Sequence, residues 1–303
     1  MSSGARALRD EYRAMLKAPE VEELLDLGLF RPLAFGLVRL LKPTPVTPNQ
    51  VTAASLVLGV ASGACYWRGT AGWLLAGAAL LFLTNLVDCA DGMLARVRGG
   101  GSLTGYLFDG LVDYTTNTSV LVGMLHGLHV QGVGPGWIWL VGVPGGLSYA
   151  WWCAMVDRFR NEWMERVHDR RRHPTLELAE LRKAAAAFAP GTHRWDRLLI
   201  GAYGAYVRLW YSRCPSRAAR ECCGAPAEAW RRACGPVMRA AVLLGPTMHL
   251  SLMMAAGAAN RPAWYFVFSL AFGTTYGLGV LAWREGAQRR LAATGLREST
   301  CAP

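Results

Sequence analysis

The placement of apolar residues constrains this chain more than any other feature. Six apolar runs, at 51–67, 71–95, 104–128, 136–156, 236–259 and 262–283, are separated by short or strongly basic connections. Each approaches the roughly 20 residues that carry a helix across a hydrocarbon core. Only 17% of the 303 residues are charged, where a soluble domain would have about a quarter, and those charges gather between the runs. The pattern predicts an all-α integral membrane protein with six transmembrane helices.

Lysine and arginine set the orientation. Arg68 alone lies between the first two runs, none lies between the third and fourth, and Arg261 alone separates the last two. The N-terminal segment, the Arg96–Arg98 connection, the stretch from Arg158 to Arg232 and the tail after Trp283 are rich in arginine. This alternation places both termini on the cytoplasmic side. The formal net charge of +11 then reads as basic loops facing anionic headgroups. No basic stripe is interleaved with aromatics in a soluble module, so nucleic acid is not expected as a partner. The charged N-terminus has no signal-peptide core.

Ahead of the first run, Leu33, Leu37, Leu40 and Leu41 recur at helical spacing among Arg31, Arg39 and Lys42. That pattern predicts an amphipathic helix in the interface, its basic residues near headgroups. Pro43, Pro45 and Pro48 end it, and Asn49 or Thr47 can cap the next helix. Five stretches follow: an N-terminal segment with the interfacial helix (1–50), helices one to four (51–156), a cytoplasmic helical insert (157–235), helices five and six (236–283) and a cytoplasmic tail (284–303). The insert has its own amphipathic stretch, Trp195–Arg213. The eight cysteines show no metal-ligand spacing. Those in the arginine-rich stretch (Cys214, Cys222, Cys223, Cys234) are expected to be reduced. His126, His129 and His249 have no partners at ligand spacing and read as packing residues.

The chemistry concentrates between Asp88 and Asp113. On a helix, Asp88, Asp91, Gly92 and Ala95 share a face, and on the next helix Gly105, Asp109 and Asp113 share another. A turn containing Gly99, Gly100 and Gly101 joins the two as a hairpin, so the acidic faces can meet. Four carboxylates at a membrane interface need compensation, and hard divalent cations, two ions among four carboxylates, supply it. The small residues leave room for a ligand, and Arg96 suits a phosphate. The expected site is metal-dependent and takes a diphosphate.

These residues form the pattern D-x2-D-G-x2-A-R-x8-G-x3-D-x3-D, in which the chain resembles the CDP-alcohol phosphatidyltransferases. The resemblance implies that Asp88, Asp91, Asp109 and Asp113 hold two Mg²⁺ or Mn²⁺ ions on the donor's diphosphate, with Asp113 also the general base. It implies that Gly92, Ala95, Arg96, Ser102 and Gly105 border the nucleotide, with Asn49 and Thr52 nearby, and that CMP leaves. It implies membrane lipids and a second copy of the chain, as a homodimer, as partners. Arg158 and Arg160, at the cytoplasmic end of the fourth run, are candidates for a phosphate on the acceptor. Positive-inside flanking also accounts for them.

Two reactions fit such a site. CDP-diacylglycerol could donate a phosphatidyl group to inositol phosphate, inositol, glycerol phosphate or serine. Alternatively, CDP-choline or CDP-ethanolamine could donate to diacylglycerol. The context Leu107-Phe-Asp109-Gly-Leu-Val-Asp113-Tyr matches neither the common glycerol-phosphate form nor the choline/ethanolamine form, and the reading leans to CDP-diacylglycerol with a polar acceptor. A UbiA-type prenyltransferase would need a second aspartate-rich loop. An ion-coupled transporter would place its aspartates in broken helices near mid-membrane. The Ala-, Gly- and Arg-rich usage points to a bacterial cytoplasmic membrane.

Overall fold

Helices are the regular elements of the structure, a computed structural model that describes residues 3–16, 18–100, 103–168, 174–186, 194–211 and 225–300. No strand occurs among them. The chain divides into two units, one of residues 1–149 and 246–271, the other of residues 150–245 and 272–303.

In the first unit, α1 (Ser3–Ala14) leads through a π-turn at Asp26–Phe30 into α2 (Arg31–Leu41), then α3 (Pro48–Trp67), α4 (Ala71–Val97) and α5 (Leu103–Val130). Thr47 caps α3: its hydroxyl accepts from the Gln50 amide, and the Gln50 side chain accepts from the Thr47 amide. This reciprocal pair fixes where the helix starts. Small residues let α3 and α5 cross closely. A Cβ on Gly123 would lie 2.1 Å from the Gly63 carbonyl oxygen, and one on Gly63 would lie 2.2 Å from Ser119 Oγ. Between α4 and α5 the chain turns through Gly99 and Gly100, at φ +90° and +108°, a backbone region that glycine enters without a Cβ penalty.

The core around α4 joins Met15, Phe30, Ala34, Val38, Val51, Cys89, Ala90, Met93 and Leu94. Thus α2 and the residues before it pack on the half of α4 that carries the aspartates. Arg31 overturns one expectation. Instead of facing headgroups it is buried, with its Nε 2.9 Å from Glu22 Oε2. The face that α2 leaves exposed carries Leu33 and Leu40. After a helical run that begins at Pro135 and passes a π-turn at Ile138–Gly142, α6 (Val143–His168) continues into the second unit.

The second unit holds the rest of α6 with α7 (Pro174–Ala186), α8 (Arg194–Tyr211) and α9 (Ala227–Ala241). The hairpin α7–α8 is tied by the Tyr203 hydroxyl donating to Glu177 (3.0 Å), and α8 to α6 by Tyr206 donating to Asp157 (3.0 Å). Two helices of the first unit follow, α10 (Pro246–Ala258) and α11 (Pro262–Phe268), before α12 (Thr274–Thr300) returns to the second. There Arg284 pairs with Glu162.

Among the described residues, three helical stretches are long and apolar enough to cross a membrane: Ala71–Val97, Ala227–Ala258 and Pro262–Ala293. The other three expected spans also fall in helices, but hydroxyls on α3, Asp, Asn and His on α5, and charges along α6 lower their apolarity. The expectations for Cys214, Cys222 and Cys223 fall outside the described residues; Cys234 is buried on α9.

Candidate active site

Two helix ends build the site. α4 contributes Asp88 and Asp91 one turn apart, and the first turns of α5 contribute Asp109. One carboxylate oxygen from each lies within 4.8 Å of the other two. Asp91 is buried, while Asp88 and Asp109 are half-buried. Asp113, four residues further along α5, is exposed and is not one of these three. Three oxygen donors so close, carried by ionisable carboxylates, are the donor set that a hard divalent cation takes, and zinc- or copper-type nitrogen and sulfur donors are absent from the group. The residues present fit Mg²⁺ or Mn²⁺.

Asp91 is oriented from α3. Thr52 Oγ1 lies 2.6 Å from Asp91 Oδ2 and 3.1 Å from the Pro48 carbonyl. A hydroxyl has one proton to give. The shorter, charged acceptor takes it, which makes this a strong buried hydrogen bond. Thr52 was expected beside a nucleotide, and here its hydroxyl serves the carboxylate. Asn49, one turn earlier, is exposed.

The remaining positions divide. Gly92, Ala95 and Gly105 are half-buried on the two helices. Among the described residues, a Cβ on Gly92 would meet only the Arg96 guanidinium, 3.7 Å away. Arg96 directs its Nε to the Met15 carbonyl at 2.6 Å, and Arg98 reaches the carbonyls of Val46 (2.5 Å) and Thr44 (2.8 Å). Ser102 lies outside the described residues. Arg158 and Arg160 lie on α6 in the second unit, half-buried.

A buried acidic patch behind the aspartates had no signal in the periodicity. Arg31, besides its pair with Glu22, has Nη1 3.5 Å from the Cys89 carbonyl, between the two site residues of α4. Asp26 accepts from Thr247 (3.0 Å), and Glu23 accepts from the Met248 amide (2.9 Å). Glu23 thus satisfies one of the open N–H groups in the first turn of α10. The signal was compositional: Glu22, Glu23 and Asp26 are acids in a segment read as lying against anionic lipid.

A groove of about 1190 Å³ runs along α3 and α5. It begins at Tyr114, next to Asp113, and passes Val60, Ala64 and Val122 to Trp67 and Val130.

The hairpin brings together a carboxylate cluster fit for a divalent cation, in a chain with helices apolar enough to span a membrane. Residues 45–164 match the family model described as CDP-alcohol phosphatidyltransferase. Among similar proteins is the phosphatidylinositol phosphate synthase of Mycobacterium marinum, 32% identical over 111 residues, which are 37% of this chain and 45% of that protein. The synthase of the same name from Mycobacteroides abscessus is 34% identical over 101 residues, 31% of this chain and 40% of its own length. The bifunctional IPC transferase and DIPP synthase of Rubrobacter xylanophilus is 34% identical over 84 residues, 28% of this chain and 19% of that protein. The chain therefore spans less than half the length of these relatives.

Proposed function

We propose that this protein transfers a phosphatidyl group from CDP-diacylglycerol to a polar alcohol, with release of CMP, and that the alcohol is an inositol phosphate. The convergence of Asp88, Asp91 and Asp109 carries the reaction type. The names of the mycobacterial relatives support the acceptor class. Asp88, Asp91 and Asp109, joined by Asp113, would hold the two divalent ions. Bound there, the ions would neutralise the diphosphate and the departing CMP.

The chain's own residues do the rest. Thr52 keeps the Asp91 carboxylate aimed. The exposed Asp113 takes the proton from the acceptor hydroxyl. A carboxylate with an ordinary pKa near 4 is a weak base for an alcohol, so proton removal runs together with attack, and positioning carries most of the acceleration. The groove that starts beside Asp113 suits an acyl chain. The site and both termini face the cytoplasm, and the working form is a homodimer.

The test is an assay of purified protein with labelled CDP-diacylglycerol or CDP-choline against a panel of alcohols and diacylglycerol. CMP release with phosphatidylinositol phosphate as product is expected only with CDP-diacylglycerol and inositol phosphate. EDTA should silence it, and Mg²⁺ or Mn²⁺ should restore it. Product from CDP-choline and diacylglycerol would move the protein to the other branch, and pyrophosphate without CMP would remove it from the family chemistry. Asp113→Asn is expected to abolish turnover while donor binding persists; full activity in that variant refutes the base assignment.

A further inference from the structure

The second unit presents a surface that catalysis does not use. In the α7–α8 hairpin the two helices treat solvent differently. On α7, Leu178 and Leu181 are buried while Glu180, Arg182 and Lys183 are exposed, as on any helix facing water. On α8, Ile200 and Val207 are buried, yet Trp195, Leu198 and Leu209 are 78%, 57% and 64% exposed. At about 100° per residue, Trp195, Leu198, Ala202, Ala205 and Leu209 fall within roughly 80° of one another. They form one apolar stripe. It is not a core face turned outward, because the opposite face is already packed, with Ile200, Gly204 and Val207 buried.

Charge identifies the occupant. Arg194, Arg197 and Arg208 are exposed and run along one flank of the stripe. A tryptophan-led apolar stripe edged with arginine is the composition of a helix lying in a membrane interface, where the stripe enters the acyl boundary and the cations meet anionic headgroups. The helix is also held in a chain whose spans Ala71–Val97, Ala227–Ala258 and Pro262–Ala293 suit a bilayer, so docking needs no capture from solution. We infer that α8 is a membrane-surface helix selective for anionic phospholipid, inserting Trp195, Leu198 and Leu209 between lipids.

The full-length protein carrying Trp195→p-benzoylphenylalanine, in nanodiscs of equal phosphatidylglycerol and phosphatidylcholine, tests this. On irradiation the chain is expected to gain the mass of one phospholipid, with phosphatidylglycerol adducts in excess on the order of five-fold for each engaged arginine. Arg194→Gln with Arg197→Gln and Arg208→Gln should level the two yields. The same photoprobe as Glu180→p-benzoylphenylalanine, on the polar face of α7, should take no lipid. Adducts to a second copy of the chain or within the chain, equal yields of the two lipids in the parent, or an equal lipid yield at Glu180 would each overturn the inference.

Discussion

Thr52 has a single proton and gives it to Asp91, which makes its hydroxyl a tuning element of the carboxylate cluster. Outer-shell partners of this kind typically change metal affinity or activity 10–100-fold on removal. Thr52→Val should therefore raise the Mn²⁺ concentration for half-maximal activity by about that range, while Thr52→Ser should stay near the parent. An unchanged Mn²⁺ titration in the valine variant would show that the bond does not support the site. The aspartates themselves were legible in the sequence, since offsets of three and four place side chains on one helical face whatever surrounds it. The donor to Asp91 was not, because Thr52 and Asp91 are 39 positions apart and only the packing of α3 on α4 brings them together. Arg31 was misread for a related reason. Its spacing fitted an interfacial helix, but the acids that bury it belong to the preceding turn.

The crossing of α3 and α5 depends on the absence of side chains. Gly123→Ala would press a methyl onto a backbone carbonyl, which cannot swing aside, and overpacking of this sort costs about 1–3 kcal/mol. A lower melting temperature in detergent is expected, with loss of activity as the α5 aspartates shift. Gly72→Ala, with open space at its Cβ, should leave both unchanged; equal effects from the two would discount the crossing. At the other end of the unit, Lys42 donates to Glu11 at 2.7 Å and holds that carboxyl below its usual range, which ties α1 to the end of α2. A depressed carboxyl contributes to docking above its ordinary pKa and loses that contribution as pH falls through the lowered one. Amide exchange in α1, corrected for intrinsic rates, should accelerate in acid, and Lys42→Met should give the same acceleration at neutral pH. Exchange indifferent to both would discount the tie. Among the elements, the proline-delimited start of α3 was readable from Thr47 to Gln50. The π-turns at Asp26–Phe30 and Ile138–Gly142 were not, since no residue type marks where a helix takes up an extra residue.

At the scale of the molecule, the basic–apolar alternation predicts an even number of crossings. Alkaline phosphatase fused after Gly132 should be active and fused after Ala293 inactive in a bacterial host; activity at both would break the six-span reading. The helical class and the long apolar segments were plain from composition and run length. The division into two units was not, because it depends on which distant segments pack together: residues 246–271 join the N-terminal half, although the chain reaches them only after the insert.

That return has a practical corollary. The family match covers 45–164, yet the acceptor for Arg96 is Met15, the pairing acid for Arg31 is Glu22, and Glu23 and Asp26 reach forward to Met248 and Thr247. A recombinant fragment trimmed to the matched stretch would leave the Arg96 guanidinium without its carbonyl and strip Met15, Phe30, Ala34 and Val38 from the back of α4. Such a minimal piece should express as misassembled material. Crystallisation or screening efforts should keep the first forty residues in place.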